Sequence, residues 1–322
     1  MKLCLACSAG GHLAEMLQLE EFYSKREHFF LTFRRPDSED LAKREKVFFV
    51  ERPARNPLAF ILNFFQSLNV LLKEKPDLVL ATGADVTASI CLLAKILRKK
   101  MVFIESFCRP FRPSWSGRIV HPFADLFIVQ WPEVHKAYKK AVFGGPIFLS
   151  GGKKAAASGK GSGVFVSVGT HPQQFNRLLE KVGELVGRGK IKEKVFAQSG
   201  YTKFKAKNFE SVDFIAPKEF EEKVKGCKLF ITHGGEGNIG LGLQLGKKMV
   251  VVPRLKKFGE HSNDHQLELT KAVEGAGQAL AVYGINELEG AIGKAKNFTP
   301  KKLEGGKIIE ILERFVSNGK TA

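Results

Sequence analysis

At 322 residues the chain has room for two domains, each able to bury its own core, and 44% apolar with 26% charged residues fits a folded globular protein and excludes a disordered one. The net charge of +18 comes from 51 Lys and Arg against 33 Asp and Glu, spread over both halves, and calls for an anionic partner: nucleic acid, an anionic membrane surface or a phosphorylated substrate. No zinc-finger spacing or aromatic RNA-binding signature is present, so nucleic acid is not expected and the other two are.

In chain order, apolar strands are expected over residues 2–7, 28–33, 46–51, 77–81, 100–105 and 125–130. The first of these starts so early that no signal peptide is expected before it. A Gly/Ser/Ala/Lys-rich stretch, residues 150–163, reads as a flexible linker. Strands resume over 163–168, 194–198, 211–215, 228–232 and 248–252. Helix-period segments lie between strands on both sides of the linker. Alternating β and α with short connections predicts mostly parallel sheets covered on both faces. The expected architecture is α/β, with two doubly wound domains facing each other across a cleft: residues 1–149 and 164–322.

Residues 57–72 (PLAFILNFFQSLNVLL) are too short and too polar for a membrane span, which needs ~20 apolar residues. Asn63, Gln66, Ser67 and Asn69 make a narrow polar stripe on this helix. Such a helix usually packs against a sheet; the sharper reading is that it dips into a membrane. The 5 cysteines suggest reduced thiols and an intracellular protein. Cys4 and Cys7, three apart on a strand, point to opposite faces and read as core thiols rather than metal ligands.

The most informative segment is 232–266, THGGEGNIGLGLQLGKKMVVVPRLKKFGEHSNDHQ. It reads as a strand, a glycine turn, a helix, a strand and a second polar loop. Glycines let a backbone approach a diphosphate, and a helix N-terminus turns free N–H groups toward it. Two polar loops past adjacent strand ends suit a phosphorylated, polyhydroxylated molecule such as a nucleotide sugar. The residues that would hold it are His233, Gly234, Gly235, Glu236, Gly237, Asn238, Glu260, His261, Asp264, His265 and Gln266. The histidine spacing fits no metal-ligand pattern, so no metal is expected. Each half also opens alike, with Gly10, Gly11 and His12 after the first strand and Gly169, Thr170 and His171 after its counterpart. His12 reads either as a general base or as a helix cap, and Glu15, one turn later, as its orienter or as the base itself. Residues 105–118 (ESFCRPFRPSWSGR) interleave arginines with aromatics. They read as an amphipathic loop that holds a diphosphate and touches lipid, or as a packed surface loop with solvated arginines.

On these residues the chain resembles a known enzyme group. SAGGHLAEMLQL (8–19), ATGADVTAS (81–89) and IESFCRPFRPSWSGRIVHPFADLFIVQWPE (104–133) are similar to the membrane-side subunit of the N-acetylglucosaminyltransferase that adds the second sugar of the dolichyl-diphosphate-linked glycan. They are equally similar to its bacterial exopolysaccharide counterparts. VSVGTHPQQFNRLL (166–179), FAQSGY (196–201) and the 232–266 segment resemble the catalytic partner, a family 28 glycosyltransferase C-terminal domain. The two subunits look fused here. The resemblance implies a GT-B fold of two Rossmann-like domains, and inverting, metal-independent transfer without a cofactor. The donor would be a UDP-sugar, with UDP-N-acetylglucosamine expected, and the acceptor a glycan on a prenyl diphosphate at the cytoplasmic membrane face. It places the donor on Gly169, Thr170, 233–238 and 260–266. It places the acceptor on Gly10, Gly11, Gly83, Glu105, Arg109 and Arg112, with His12 as base.

Two departures stand out. The family's ribose-gripping Glu is Leu241 here, leaving Glu236 or Glu260 to replace it, and the membrane-spanning helix of the membrane-side subunit is not seen. Rival readings are a UDP-sugar epimerase on the same fold, a non-catalytic nucleotide-sugar or lipid-glycan binding protein, and a basic nucleic-acid binder.

Overall fold

The computed structural model describes residues 1–54, 56–151, 161–301 and 306–318. The chain divides into two compact units: Met1–Gly152 with Glu304–Ala322, and Lys153–Leu303.

The first unit holds a seven-stranded sheet in the order β3-β2-β1-β4-β5-β6-β7. The strands are β1 (Lys2–Ala6), β2 (Glu27–Thr32), β3 (Val47–Phe49), β4 (Leu78–Thr82), β5 (Lys100–Ile104), β6 (Leu126–Val129) and β7 (Val142–Phe143). The second holds six strands in the order β10-β9-β8-β11-β12-β13. These are β8 (Val164–Ser167), β9 (Val195–Gln198), β10 (Glu210–Val212), β11 (Leu229–His233), β12 (Met249–Val252) and β13 (Leu280–Ala281). Every pairing is parallel. Helices cover both faces of such sheets, so central strands are apolar along their whole length. In β4 (LVLAT) all residues are buried, as in β11 (LFITH). In each unit the strand order reverses beside the first strand, between β1 and β4 and between β8 and β11. Connections leave these two neighbours in opposite directions, which opens a crevice at their carboxyl ends.

All the strands expected from the sequence form. β7 and β13 were not expected; each has two residues at a sheet edge, too few for a period to show. Two expectations need correction. Residues 306–318, within the range assigned to the second domain, cluster with the first unit. The helix Ile308–Asn318 buries Ile308, Ile309, Leu312 and Val316, packs on the helix Glu20–Tyr23, and Glu313 receives two hydrogen bonds from Arg26 at 2.5 and 3.2 Å. The linker expected over 150–163 falls largely outside the described residues.

The second correction is the helix Pro57–Glu74, which the commoner reading placed face-down on the sheet. Its first three turns are inside out: Asn63 and Ser67 are fully buried, while Leu58, Ile61, Leu62 and Phe65 are exposed; near its end Val70 and Leu71 are buried and Asn69 is exposed. The inward polar face is used. Asn63 donates to the carbonyls of Glu51 (2.7 Å) and Val86 (3.4 Å), and Gln66 accepts from the Glu51 amide at 2.6 Å. This helix packs on the helix Asp85–Ile96, which packs on the helix Trp115–Val120. These neighbours add exposed Ile96, Trp115 and Ile119, with Phe111 and Phe123 in flanking segments. No helix among the described residues is long and apolar enough to cross a membrane. Cys4, Cys7, Cys91, Cys108 and Cys227 are all buried free thiols, and burial pushes the Cys4, Cys7 and Cys91 thiols well up.

Candidate functional site

In the first unit the crevice between β1 and β4 is lined by the turn after β1. Gly10 adopts φ +90°, a conformation a side chain disfavours, and its N–H donates to Asp37 at 2.6 Å. That turn launches the helix Gly11–Leu17, with His12 second in it. The His12 Nδ1 lies 3.5 Å from a Glu15 carboxylate oxygen. Glu15 is fully buried, and its other oxygen accepts from the Phe107 amide (2.7 Å) and from Gln130 (3.4 Å). A buried carboxylate is costly unless such donors satisfy it. Here they fix it beside the imidazole, where it orients the ring. His12 itself is part-exposed, while Glu15 is fully buried.

Gly83 closes β4, and a β-carbon there would sit 3.3 Å from the Ser106 amide, so this glycine lets the loops after β4 and β5 meet. Gly10, Gly11, Gly83 and His12 therefore gather at one place, with Arg109 (half-buried) and Arg112 (exposed) on the neighbouring loop after β5. Glu105 does not join them as a contact residue. It is fully buried, and its carboxylate accepts from the Ser106 amide (2.9 Å), the Ser114 amide (3.1 Å) and the Tyr138 hydroxyl. It ties both ends of the aromatic–arginine loop to β5, so its role is to shape that loop. Burial first, then the neighbouring Glu105 carboxylate, push the Tyr138 hydroxyl well up, keeping it a donor.

In the second unit, the loops after β8, β11 and β12 converge. Gly169 has φ +80°, and a β-carbon on Gly169 or Gly235 would run into the His233 ring. His233 is thus clasped between the two glycine turns. Burial first, then Arg254, His261 and His171, hold its imidazole well below the usual range, so it is neutral. Asn238 donates to Ser167 (3.0 Å) and Thr232 (2.9 Å), tying the helix Glu236–Gln244 to the ends of β8 and β11. Glu236 and Gly237 begin that helix, Gly234 packs against Gln266 and Thr270, and Thr170 is exposed at the rim. Leu241 lies half-buried in the same helix.

Sequence reasoning missed the residue that holds these loops together. Arg254 is fully buried. Its guanidinium donates to the carbonyls of Val168 (2.8 and 3.1 Å), Gln173 (2.6 Å) and Glu260 (3.1 Å), and its backbone N–H donates to Gln266 at 3.0 Å. Burial lowers its pKa to about 10, with Glu260 opposing, so it stays charged. Glu260, expected to touch ligand, is instead a brace. Arg177 holds its carboxylate at 2.8 and 2.9 Å, and it also accepts from the Leu255 amide at 3.0 Å. Gln266 is likewise buried and used within the loop.

His171 was noted but not assigned. Its ring lies 4.4 Å from His261, and His261 lies 4.6 Å from His265. Asp264 accepts from the Lys256 amide at 2.8 Å. Exposed Tyr201 and Phe214, past the ends of β9 and β10, meet edge to face at 4.9 Å; the sequence offered no signal for them beyond isolated aromatics. Glu268, in the first turn of the helix His265–Gly275, has a carboxylate oxygen shielded from solvent that makes no hydrogen bond among the described residues.

Two family profiles match the chain: "Oligosaccharide biosynthesis protein Alg14 like" over residues 50–147, and "Glycosyltransferase family 28 C-terminal domain" over residues 163–309. The UDP-N-acetylglucosamine transferase subunit alg14 of Schizosaccharomyces pombe is 32% identical over 166 residues, covering 42% of this chain and 78% of that protein. The UDP-N-acetylglucosamine–N-acetylmuramyl-(pentapeptide) pyrophosphoryl-undecaprenol N-acetylglucosamine transferase of Clostridium botulinum is 24% identical, over 70% of this chain and 66% of that protein. Among solved structures, MurG of Acinetobacter baumannii aligns at TM-score 0.70 and 14% identity, covering 98% of this chain and all (100%) of that one. A UDP-GlcNAc 2-epimerase of Methanocaldococcus jannaschii, solved with UDP-GlcNAc and UDP, aligns at 0.71 and 13%, covering 99% and 100%. At such identities these structures establish the GT-B-type fold alone. The match to alg14 over most of that protein, with the second profile following in the same polypeptide, decides the family: the chain belongs to the Alg14 family and carries a glycosyltransferase family 28 C-terminal domain fused behind it.

Proposed function

We propose that this chain is an inverting glycosyltransferase that moves N-acetylglucosamine from UDP-N-acetylglucosamine to a sugar on a prenyl diphosphate. The observation that carries this is the His12–Glu15 pair, set at the switch point of a unit whose relatives are named transferase subunits. In this reading His12 removes the proton of the acceptor hydroxyl as the oxygen attacks the anomeric carbon. UDP departs, and the N–H groups at the start of the helix Glu236–Gln244 and the basic groups of the donor loops absorb its charge, with no metal required. The exposed Tyr201–Phe214 pair offers a stacking surface for a planar base. With Glu260 held by Arg177, the ribose hydroxyls fall to Glu236 or Glu268.

Acceptor lipids live in a membrane, and the inside-out first turns of the helix Pro57–Glu74, with their aromatic neighbours, give this protein an apolar face. Exposed Lys73, Arg98, Arg112 and Arg118 lie in or beside the same segments and match anionic headgroups. We place the protein peripherally on the cytoplasmic membrane face. The epimerase reading shares the fold but gives no use for that face.

The deciding experiment is UDP release from a panel of UDP-sugars, with and without prenyl-diphosphate-linked N-acetylglucosamine and with EDTA present. Release from UDP-N-acetylglucosamine that needs the acceptor supports the proposal. Interconversion of the free UDP-sugar without acceptor would sink it in favour of an epimerase.

A further inference from the structure

On the donor reading above, we infer that His171, His261 and His265 form the seat of the donor's diphosphate and take up a proton when it binds. The three rings form one continuous cluster, with centroid separations of 4.4 and 4.6 Å. They come from two loops, after β8 and after β12, the strands that flank β11 on either side. The end of β11 carries the glycine turn and the helix N-terminus. An anion drawn to that N-terminus therefore meets imidazoles from both flanks.

The surroundings make the cluster short of negative charge. Arg254 lies buried nearby with its guanidinium bonds all going to main-chain carbonyls, so the carboxylate of Glu260 acts on its charge only through space. Glu260, the nearby carboxylate, is already paired with Arg177. Asp264 is the acid beside His261, Glu268 follows His265 by one helical turn, and neutral His233 faces the rings from β11. Burial and then Arg254 hold the His261 imidazole below its ordinary value, so it is neutral near pH 7.5 or so in the empty protein. A diphosphate diester brings two negative charges. Opposite charge at this range favours the protonated ring, so binding recruits a proton to the cluster. Because adjacent rings repel one another once charged, the proton belongs to the group and not to one ring. The neutral state is also prepared to bind. His171 accepts at Nδ1 from the Gln173 amide (3.5 Å) and His261 from the Asn263 amide (3.3 Å), which leaves their hydrogens on Nε2. His265 is oriented through its Nδ1 by the Asn263 side chain.

The test is calorimetric titration of the full chain with UDP-N-acetylglucosamine, whose doubly esterified diphosphate keeps its charge across the range used. Titrations at about pH 7.5 in HEPES and in Tris, which differ in ionisation heat, count the protons exchanged. Kd is then measured near pH 6 and pH 8. Net proton uptake is expected, with binding roughly tenfold tighter at the lower pH by linkage. His171→Gln combined with His261→Gln should remove most of the uptake. Binding with no protons exchanged and an unchanged Kd overturns this inference while leaving the donor reading intact. Undiminished uptake in the double variant places the proton elsewhere and also overturns it. No binding in either buffer fails the donor reading itself, and this inference with it.

Discussion

Replacing Leu58, Ile61 and Phe65 together by serine tests the outward face of the helix Pro57–Glu74. Their side chains are 76%, 51% and 61% exposed, so the native fold gains little from them. At about 2 kcal/mol for complete burial of each such side chain, submerging the exposed fractions in lipid is worth about 4 kcal/mol in total. That is roughly a thousandfold in partitioning, an upper bound because interfacial helices sink only part-way. We expect the triple variant to bind vesicles of mixed anionic and zwitterionic lipid at least ~100-fold more weakly than the wild type in a sedimentation assay. Its melting temperature should fall only modestly, because most of the surface of these side chains is already in water. Wild-type pelleting should also weaken as salt rises, since the flanking Lys73, Arg98 and Arg118 act through a screened potential. A triple variant that pellets like the wild type would refute the reasoning: the face would then not be a membrane surface.

Four further outcomes follow from the geometry. His12→Ala should lower turnover by roughly 10²–10⁴-fold while leaving UDP affinity unchanged, measured by UDP release and by calorimetry. Gly169→Ala must take φ +80° with a β-carbon driven into His233, so UDP binding should be lost and the second unit should melt earlier in calorimetric scans. Arg254→Met strands the carbonyls of Val168, Gln173 and Glu260 in the interior, for which we expect about 3 kcal/mol or more of lost stability in urea titration; unchanged stability would remove Arg254 as the brace. His233 is neutral in the fold, with its pKa below the unfolded value of 6.5, so its stabilisation is present above pH 6.5 and is lost as pH falls below it. His261 shifts in the same direction. Stability should therefore decline below that pH by up to about 1.4 kcal/mol per unit for each group, and His233→Asn should flatten the curve.

Much of the architecture was legible in the residues. Parallel strands buried on both faces read as unbroken apolar runs, so β4 and β11 stood out, and glycines in turns marked where strands end. The local part of the first site was legible too, because His12 and Glu15 lie one helical turn apart. What lay hidden depends on partners distant in sequence. Glu105 and Glu260 carry side chains suited to ligands, yet Tyr138 and Arg177 claim them, and only sheet order brings those residues together. Arg254 looked like any surface arginine until its carbonyl partners, 86 positions away for Val168, closed round it. The apolar helix 57–74 is the clearest case. Periodicity separates a polar stripe from an apolar face but does not say which face meets protein. Sequence by itself therefore determined the elements, their alternation and the turn chemistry, because those arise from local propensity and burial period. Tertiary structure alone decided which side chains are spent on the fold and which are left for a ligand, because hydrogen bonds across long sequence separations make that choice.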